Sequence, residues 1–382
     1  MSKNVYINDI QIFLPNEAVN NAEIEDVLGQ VGPRPSRAKK MILRSNKIKT
    51  RHYAIDKESG ETTHTNAQIA AEAIRKLNCE AFDINSIELL ACGTTIPDQL
   101  MPNHALMVHG ELGIPSCEVI ATAGICLSGT MSLKYGYMSV LSGESQNAVA
   151  TGSENASAAM RARNFKEEIE TRVDALERHP EIAFEKDFLR WMLSDGAGAV
   201  RMSAKPNAKG ISLKIDWIIQ KSYANELDAC MYAGCEKQED GSLKGWREYS
   251  QEEWLKESIS SVKQDVKLLN ANIIEYTVTK PLQELIENGK LDPNAIDHFL
   301  PHYSSGYFRD KVYEGMKKAG CDIPQTKWFT NLSEKGNTGS ASIYVIIEEL
   351  FHSGKLNVGE KLLCYIPESG RFSTAFMQLE VV

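Results

Sequence analysis

The chain has 382 residues and a formal net charge of −9, with 42% hydrophobic and 24% charged residues. These are the proportions of a globular protein long enough for one large domain or two ordinary ones, and the negative balance opposes general nucleic-acid affinity. No apolar run reaches the roughly 18 residues that cross a bilayer, the N-terminus lacks the regions of a signal peptide, and eight cysteines without paired spacing fit a reduced compartment. The expectation is a cytoplasmic protein.

In chain order, Val5–Leu14 predicts a strand ended by Pro15, and Asn21 is placed to cap a short helix, Ala22–Leu28. A basic segment follows, with Arg34, Arg37, Lys39, Lys40, Arg44, Lys47, Lys49 and Arg51 and no acidic residue between its ends. On an acidic protein such a patch is a dock for a phosphorylated or acidic partner, or else a solvated helix face. Thr65–Leu77 predicts a helix with Ala67, Ala70, Ala71 and Ile74 toward the core. Ile87–Gly93 predicts a strand running into the loop Thr94–Pro102, and Asn103–Leu112 another helix.

The alternating run Val119, Ile120, Thr122 predicts a buried strand ending at Gly124, and Leu127–Leu141 a largely buried helix stopped by Gly143. Cys126 stands on the turn between them, at the positive end of a helix dipole that favours a thiolate. Gln146–Gly152 is a further short strand. From 156 to 193 the composition shifts, with Phe165, Ile169, Val173 and Leu176 on one helical stripe, and this segment reads as a cap over a site. Ser194–Val200 turns into a strand, so its glycines serve tight packing and not a nucleotide.

The polar stretch 203–210 marks a boundary, with halves at 1–203 and 210–382. Beyond it come a strand from Ile211 to Ile219, helices between Gln251 and Asn288, a helix start at Asp292-Pro293, and the strand 296–302. This repeats the outline of the first half and predicts a duplicated α/β architecture.

Three residues carry candidate chemistry. Cys126 lies on its elbow, His302 ends a strand, and Asn337 is bracketed by glycines ahead of the apolar helix Ala341–Phe351. A cysteine able to form a thioester, beside two hydrogen-bond donors for an enolate oxygen, makes a coherent set. Gly370, in Pro367–Ser373, is placed to offer a backbone N–H. A zinc reading of His298 and His302 fails because Pro301 opposes the helix that would align them. Cys230 and Cys235 have no second pair, and no phosphate loop occurs, so no metal or cofactor is expected.

The segments Ile48-Lys-Thr-Arg-His, Gly93-Thr-Thr-Ile-Pro-Asp, Ala123-Gly-Ile-Cys-Leu-Ser-Gly, Ser194-Asp-Gly-Ala-Gly-Ala-Val, Pro301-His and Gly336-Asn-Thr-Gly-Ser-Ala-Ser resemble, in order and spacing, the β-ketoacyl carrier-protein synthase III family of the thiolase superfamily. The resemblance implies a five-layered αβαβα fold, a homodimer, and Cys126, His302 and Asn337 as the catalytic triad, with the N–H groups of Cys126 and Gly370 as oxyanion hole. It implies acyl carrier protein or acyl-CoA as partner. Met101, before Pro102, would reach into the neighbour's acyl pocket, and Arg44 lies near the position of a coenzyme-contacting arginine. With Lys40, Thr95 and Ser369 these form the expected substrate-binding set. His302-Tyr-Ser-Ser, Arg44-Ser-Asn and Pro367-Glu-Ser-Gly-Arg-Phe depart from the usual pattern and are similar to ketosynthases that form dialkylresorcinols.

Overall fold

The computed structural model describes residues 4–31, 39–165, 189–257 and 259–382. Nine strands form one mixed sheet. They are β1 (Tyr6–Phe13), β2 (Leu89–Thr94), β3 (Glu118–Ala123), β4 (Ala148–Glu154) and β5 (Gly196–Ser203), then β6 (Leu213–Ser222), β7 (His298–Pro301), β8 (Lys361–Glu368) and β9 (Ser373–Val381). Their order is β7-β8-β9-β6-β1-β5-β4-β2-β3. The first five strands follow the spatial order third, second, fourth, fifth, first. The later strands repeat it once Trp328, bridged in parallel to Phe299, is counted as the missing third strand. The two runs join only where Tyr6 and Ile7 of β1 pair with Lys214 and Leu213 of β6.

Helices fill three layers around the strands. The middle layer is α4 (Leu127–Ser142) and α8 (Ser342–Phe351), whose Leu133, Val140, Ile343 and Ile347 share one core with Ile10 and Val200 on one side and Cys364 and Met377 on the other. Each such aliphatic side chain contributes about 1.5–3 kcal/mol on burial. On the outer face of the first half, α2 (Asn66–Arg75) and α3 (His104–Leu112) bury Ile69, Ala73 and Val108 against Cys92 and Val149. Opposite, α5 (Val266–Ile274), α6 (Lys280–Glu287) and α7 (Arg309–Lys318) cover Leu363, Tyr365 and Phe376. The result is the five-layered αβαβα thiolase-type arrangement with duplicated halves.

Close approach in the middle layer requires residues without side chains. A Cβ on Gly198 would lie 2.1 Å from the Tyr344 Cβ, and one on Gly129 would lie 2.3 Å from the Ser340 carbonyl oxygen. The glycines of Ser194–Val200 thus serve packing, as their strand context indicated.

Several local expectations change. The run before Cys126 is an edge strand, paired among the described residues only with β2 and half-exposed, because it closes the first half of the sheet. Asn21 is no cap; its amide donates to the Ile48 carbonyl and its oxygen accepts from Arg51. Asp292 opens only a 3-10 turn, Pro293–Ala295. Of the segment 156–193, a short helix Ala156–Met160 and a turn Ala162–Phe165 are seen. The stripe positions Ile169, Val173 and Leu176 lie outside the described residues, as do Arg34 and Arg37 of the basic segment. Between α5 and α6 the chain makes one π turn, Glu275–Thr279. Pro281 has no N–H to give the Thr277 carbonyl four residues back, and the Thr374 hydroxyl donates to it instead at 3.0 Å.

Candidate active site

Parallel pairing decides where the site forms. Thr94 of β2 lies opposite Ala123 of β3 and Ser153 of β4, so the residues that follow in the chain, Thr95, Cys126 and the strand-ending Glu154, emerge on one edge. In the second half Pro301 of β7 lies opposite Tyr365 of β8, which brings His302 and the segment 367–369 out beside each other. Asn337 precedes α8 as Cys126 precedes α4. Its N–H donates to the Met192 carbonyl at 3.1 Å, and its own carbonyl accepts from the Ser194 N–H at 2.8 Å. All three candidate residues line one cavity of about 330 Å³. Its remaining wall is largely aliphatic, including Ala159, Met160, Leu189, Leu193, Leu269 and Ile273.

The electrostatics differ from the helix-dipole expectation at Cys126. The thiol lies in the turn that opens α4, with αR backbone. Burial pushes its pKa above the ordinary thiol range, the Glu154 and Glu368 carboxylates push it further, and its own backbone N–H opposes them. The resting group is therefore a thiol. Desolvation outweighs the dipole because the sulfur faces an apolar cavity and two anions.

His302 is 2% exposed, and burial lowers its pKa to about 4, so it is a neutral imidazole at physiological pH. Its backbone N–H is held by the Tyr365 carbonyl at 2.8 Å. Asn337 is equally fixed. Its Oδ1 accepts from the Gly339 N–H at 3.0 Å and the Ser342 hydroxyl at 3.4 Å. That orientation reserves its Nδ2 as the donor for the cavity.

The other predicted residues divide. Thr95 and Ser369 line the cavity, and Ser369 Oγ accepts from Gln264 at 3.1 Å. The Gly370 N–H, expected as an oxyanion donor, is bonded to the Glu368 carboxylate. Met101 is 84% exposed and outside this cavity. Lys40 and Arg44 are exposed on α1 (Lys39–Asn46). The basic patch is smaller than the sequence suggested. Arg51 is buried and spent on Asn21 and the Trp191 carbonyl, Lys39 pairs with Glu25 at 2.6 Å, and Lys49 with Glu334 at 3.1 Å.

Sequence reading missed Glu154. It ends a strand whose seven residues are all buried, it lines the cavity beside Cys126, and burial raises its pKa to about 7. A charged residue closing an otherwise small and apolar run, Ala148 to Ser153, was the available signal. Among the described residues no group of histidine, cysteine and carboxylate side chains is arranged to hold a metal ion, and no helix is long and apolar enough to cross a membrane.

The chain is similar to known proteins over most of its length. Residues 286–366 match the family described as 3-oxoacyl-[acyl-carrier-protein (ACP)] synthase III C terminal. The β-ketoacyl-[acyl-carrier-protein] synthase III of Sulfurovum sp. (strain NBC37-1) is 25% identical over 369 residues, covering 95% of this chain and 92% of its own. Among solved structures, the tetronic acid condensing enzyme AbyA1 superposes with a TM-score of 0.76 at 19% identity, over 98% of this chain and 99% of its own. Xanthomonas campestris OleA, solved with lauric acid and lauroyl-CoA bound, does so with a TM-score of 0.70 at 19% identity over the whole of both chains.

Proposed function

We propose that this chain, an acyltransferase of the synthase III-like condensing-enzyme type, joins two acyl thioesters by Claisen chemistry through an acyl-Cys126 intermediate. The observation that carries the reading is the convergence of Cys126, His302 and Asn337, from halves 1–203 and 210–382, on one aliphatic cavity. Cys126 attacks the first thioester, its proton leaves with the departing thiol, and the acyl chain lies along the aliphatic wall. The second thioester becomes an enolate whose oxygen accepts from His302 and from Asn337 Nδ2. Its carbon attacks the acyl-Cys126 carbonyl. Neutral His302 suits this role, since an imidazole with a pKa of about 4 donates a hydrogen bond without carrying charge.

The narrower reading is that the nucleophile is a β-ketoacyl thioester and the acceptor an α,β-unsaturated one, with ring closure by conjugate addition giving a cyclohexanedione, the precursor of a dialkylresorcinol. The departures at His302-Tyr-Ser-Ser and Pro367-Glu-Ser-Gly-Arg-Phe support it. A β-ketoacyl α-carbon, flanked by two carbonyls, is acidic enough to react without decarboxylation. Acyl carrier protein or coenzyme A would present the substrates, the exposed Lys40 and Arg44 meeting their negative charge. A second copy of the chain would receive Met101, which with Leu100 leaves an apolar loop tip in solvent.

Incubating the enzyme with a panel of acyl thioesters and reading intact mass is expected to show one acyl group on Cys126 and none on Cys126→Ala. Adding a β-ketoacyl thioester to enzyme loaded with a 2-enoyl group is expected to release a cyclohexanedione. Release only after addition of a malonyl thioester would instead mark a priming synthase.

A further inference from the structure

Deprotonating a β-ketoacyl carbon needs a base, and the proposed roles of Cys126, His302 and Asn337 leave it unassigned. Two carboxylates line the cavity among the described residues, Asp98 and Glu154. Asp98 is committed, its two oxygens accepting from the Asn66 and Ala67 N–H groups at 2.8 and 3.0 Å at the start of α2. Glu154 is bound unevenly. Its Oε1 accepts from the Thr95 hydroxyl at 2.5 Å and from the Thr95 and Ser340 N–H groups at 3.1 Å each. Its Oε2 has one long contact, 3.3 Å from the Thr95 N–H. The carboxylate is thus clamped by one oxygen with the other left under-bonded in a buried site.

No hydrogen bond joins Glu154 to the Cys126 sulfur, although the two are close enough for the carboxylate to raise the thiol's pKa. Both groups line the cavity in which a carbon that attacks the acyl group on Cys126 would have to lie. We propose that Glu154 is the general base that removes the α-proton of the nucleophilic β-ketoacyl thioester. This rests on the condensing function proposed above. The α-C–H bond breaks, the proton goes to Glu154 Oε2, and the electron pair becomes the enolate held by His302 and Asn337. The enolate carbon then forms the new bond to the acyl carbonyl and the carbon–sulfur bond to Cys126 breaks. The released thiolate takes the proton back from Glu154, which restores both groups. A carboxylate with a pKa of about 7 is better matched to this transfer than an imidazole at about 4.

The test is Glu154→Gln at pH 8, read by two assays expected to move in opposite directions. Deuterium uptake at the α-carbon of a β-ketoacyl thioester in D2O should fall at least about a hundredfold from the native rate, the usual scale of a lost general base. Iodoacetamide alkylation of Cys126 should be as fast or faster, because a charge that disfavours the thiolate is gone. Uptake within tenfold of native, or a parallel fall of both rates, overturns the assignment; the parallel fall makes Glu154 a structural clamp. Glu154→Asp keeps the charge but withdraws it by one methylene. Should the glutamine variant not fold, the aspartate variant decides. Its uptake is expected to drop about ten- to a hundredfold with alkylation unchanged, and a native uptake rate overturns the proposal. Native enzyme that takes up no deuterium overturns the β-ketoacyl nucleophile itself, and is distinguished from failure of Glu154 alone by being seen before any substitution.

Discussion

At the residue scale, the site is governed by desolvation. The cavity strips water from Cys126, Glu154 and His302 on its wall, so the first two are pushed up and the last down. In the proposed mechanism His302 and Asn337 act after Cys126 is loaded. His302→Ala and Asn337→Ala are therefore expected to slow condensation by about two to three orders of magnitude while leaving acyl loading within a few-fold, measured by single-turnover mass spectrometry. Failure of His302→Ala to load at all would make the imidazole the base for the thiol. Burial also links Glu154 to stability. Its folded pKa of about 7 stands above the ordinary 4.5, so the folded state holds a proton the unfolded state has lost between those values. Stability contributed at this position is present below about pH 4.5 and falls as pH rises toward 7. Relative to native protein, Glu154→Gln should gain up to about 3 kcal/mol between pH 4.5 and 7.5 in urea unfolding. The difference between the proteins is the quantity to measure, because His302 and His104, both lowered to about 4, give the opposite slope between 4 and 6.5. A pH-independent difference would show that Glu154 is ionised throughout.

At the scale of elements, short segments hold the site because their backbone bonds are anchored outside themselves. The basic helix α1 is an example. The Asn46 side chain donates to the Trp191 carbonyl at 2.8 Å, and the neighbouring Arg190 and Met192 line the cavity. This ties the helix that carries Lys40 and Arg44 to the segment beside the cavity; on the proposed function these two charges meet a phosphopantetheine-bearing or coenzyme-linked substrate. Charge reversal at both positions is expected to raise KM for carrier-bound substrate several-fold with kcat unchanged, and the defect should shrink as salt screens the field beyond about 8 Å. A short thioester without phosphate should be indifferent to the change. Equal effects on both substrates would make α1 a purely structural helix.

At the scale of the whole molecule, duplication explains why the chemistry lies where it does. Each half brings the C-terminal ends of parallel strands to one edge, and the shared middle layer of α4 and α8 holds the two edges together. The first half carries Cys126 and Glu154 to the cavity, the second His302 and Asn337. Among the described residues the same architecture leaves β3 at the edge of the sheet and the loop tip at Leu100 and Met101 in solvent. If a second copy covers them and takes Met101 into its cavity, Met101→Trp should shorten the longest acyl chain accepted on Cys126. The expected readout is a shifted chain-length profile with unchanged loading of short chains; an unaltered profile would mean that Met101 does not reach a cavity.

What the sequence alone determined follows from local rules. The strand and helix around Cys126 agree with the observed elements to within a residue or two, and Gly143 ends the helix in the left-handed conformation expected of a C-terminal glycine. Thr65 caps α2 with a full capping box, and Ala67, Ala70, Ala71 and Ile74 are buried as their spacing required. Cys126, His302 and Asn337 stood out as candidates because they lie on turns and at a strand end and fall in the segments that carry the family resemblance. Only the tertiary structure decided the rest. Periodicity cannot tell an edge strand from a central one, since neighbours come from distant parts of the chain. It cannot give the direction of a pKa shift, which depends on what removes water from the group. Nor can it show that Glu154, carried to the site by the register of β4 on β2, keeps one oxygen with a single long contact while the Gly370 N–H is bonded to Glu368, because partners are chosen only when the halves close on each other.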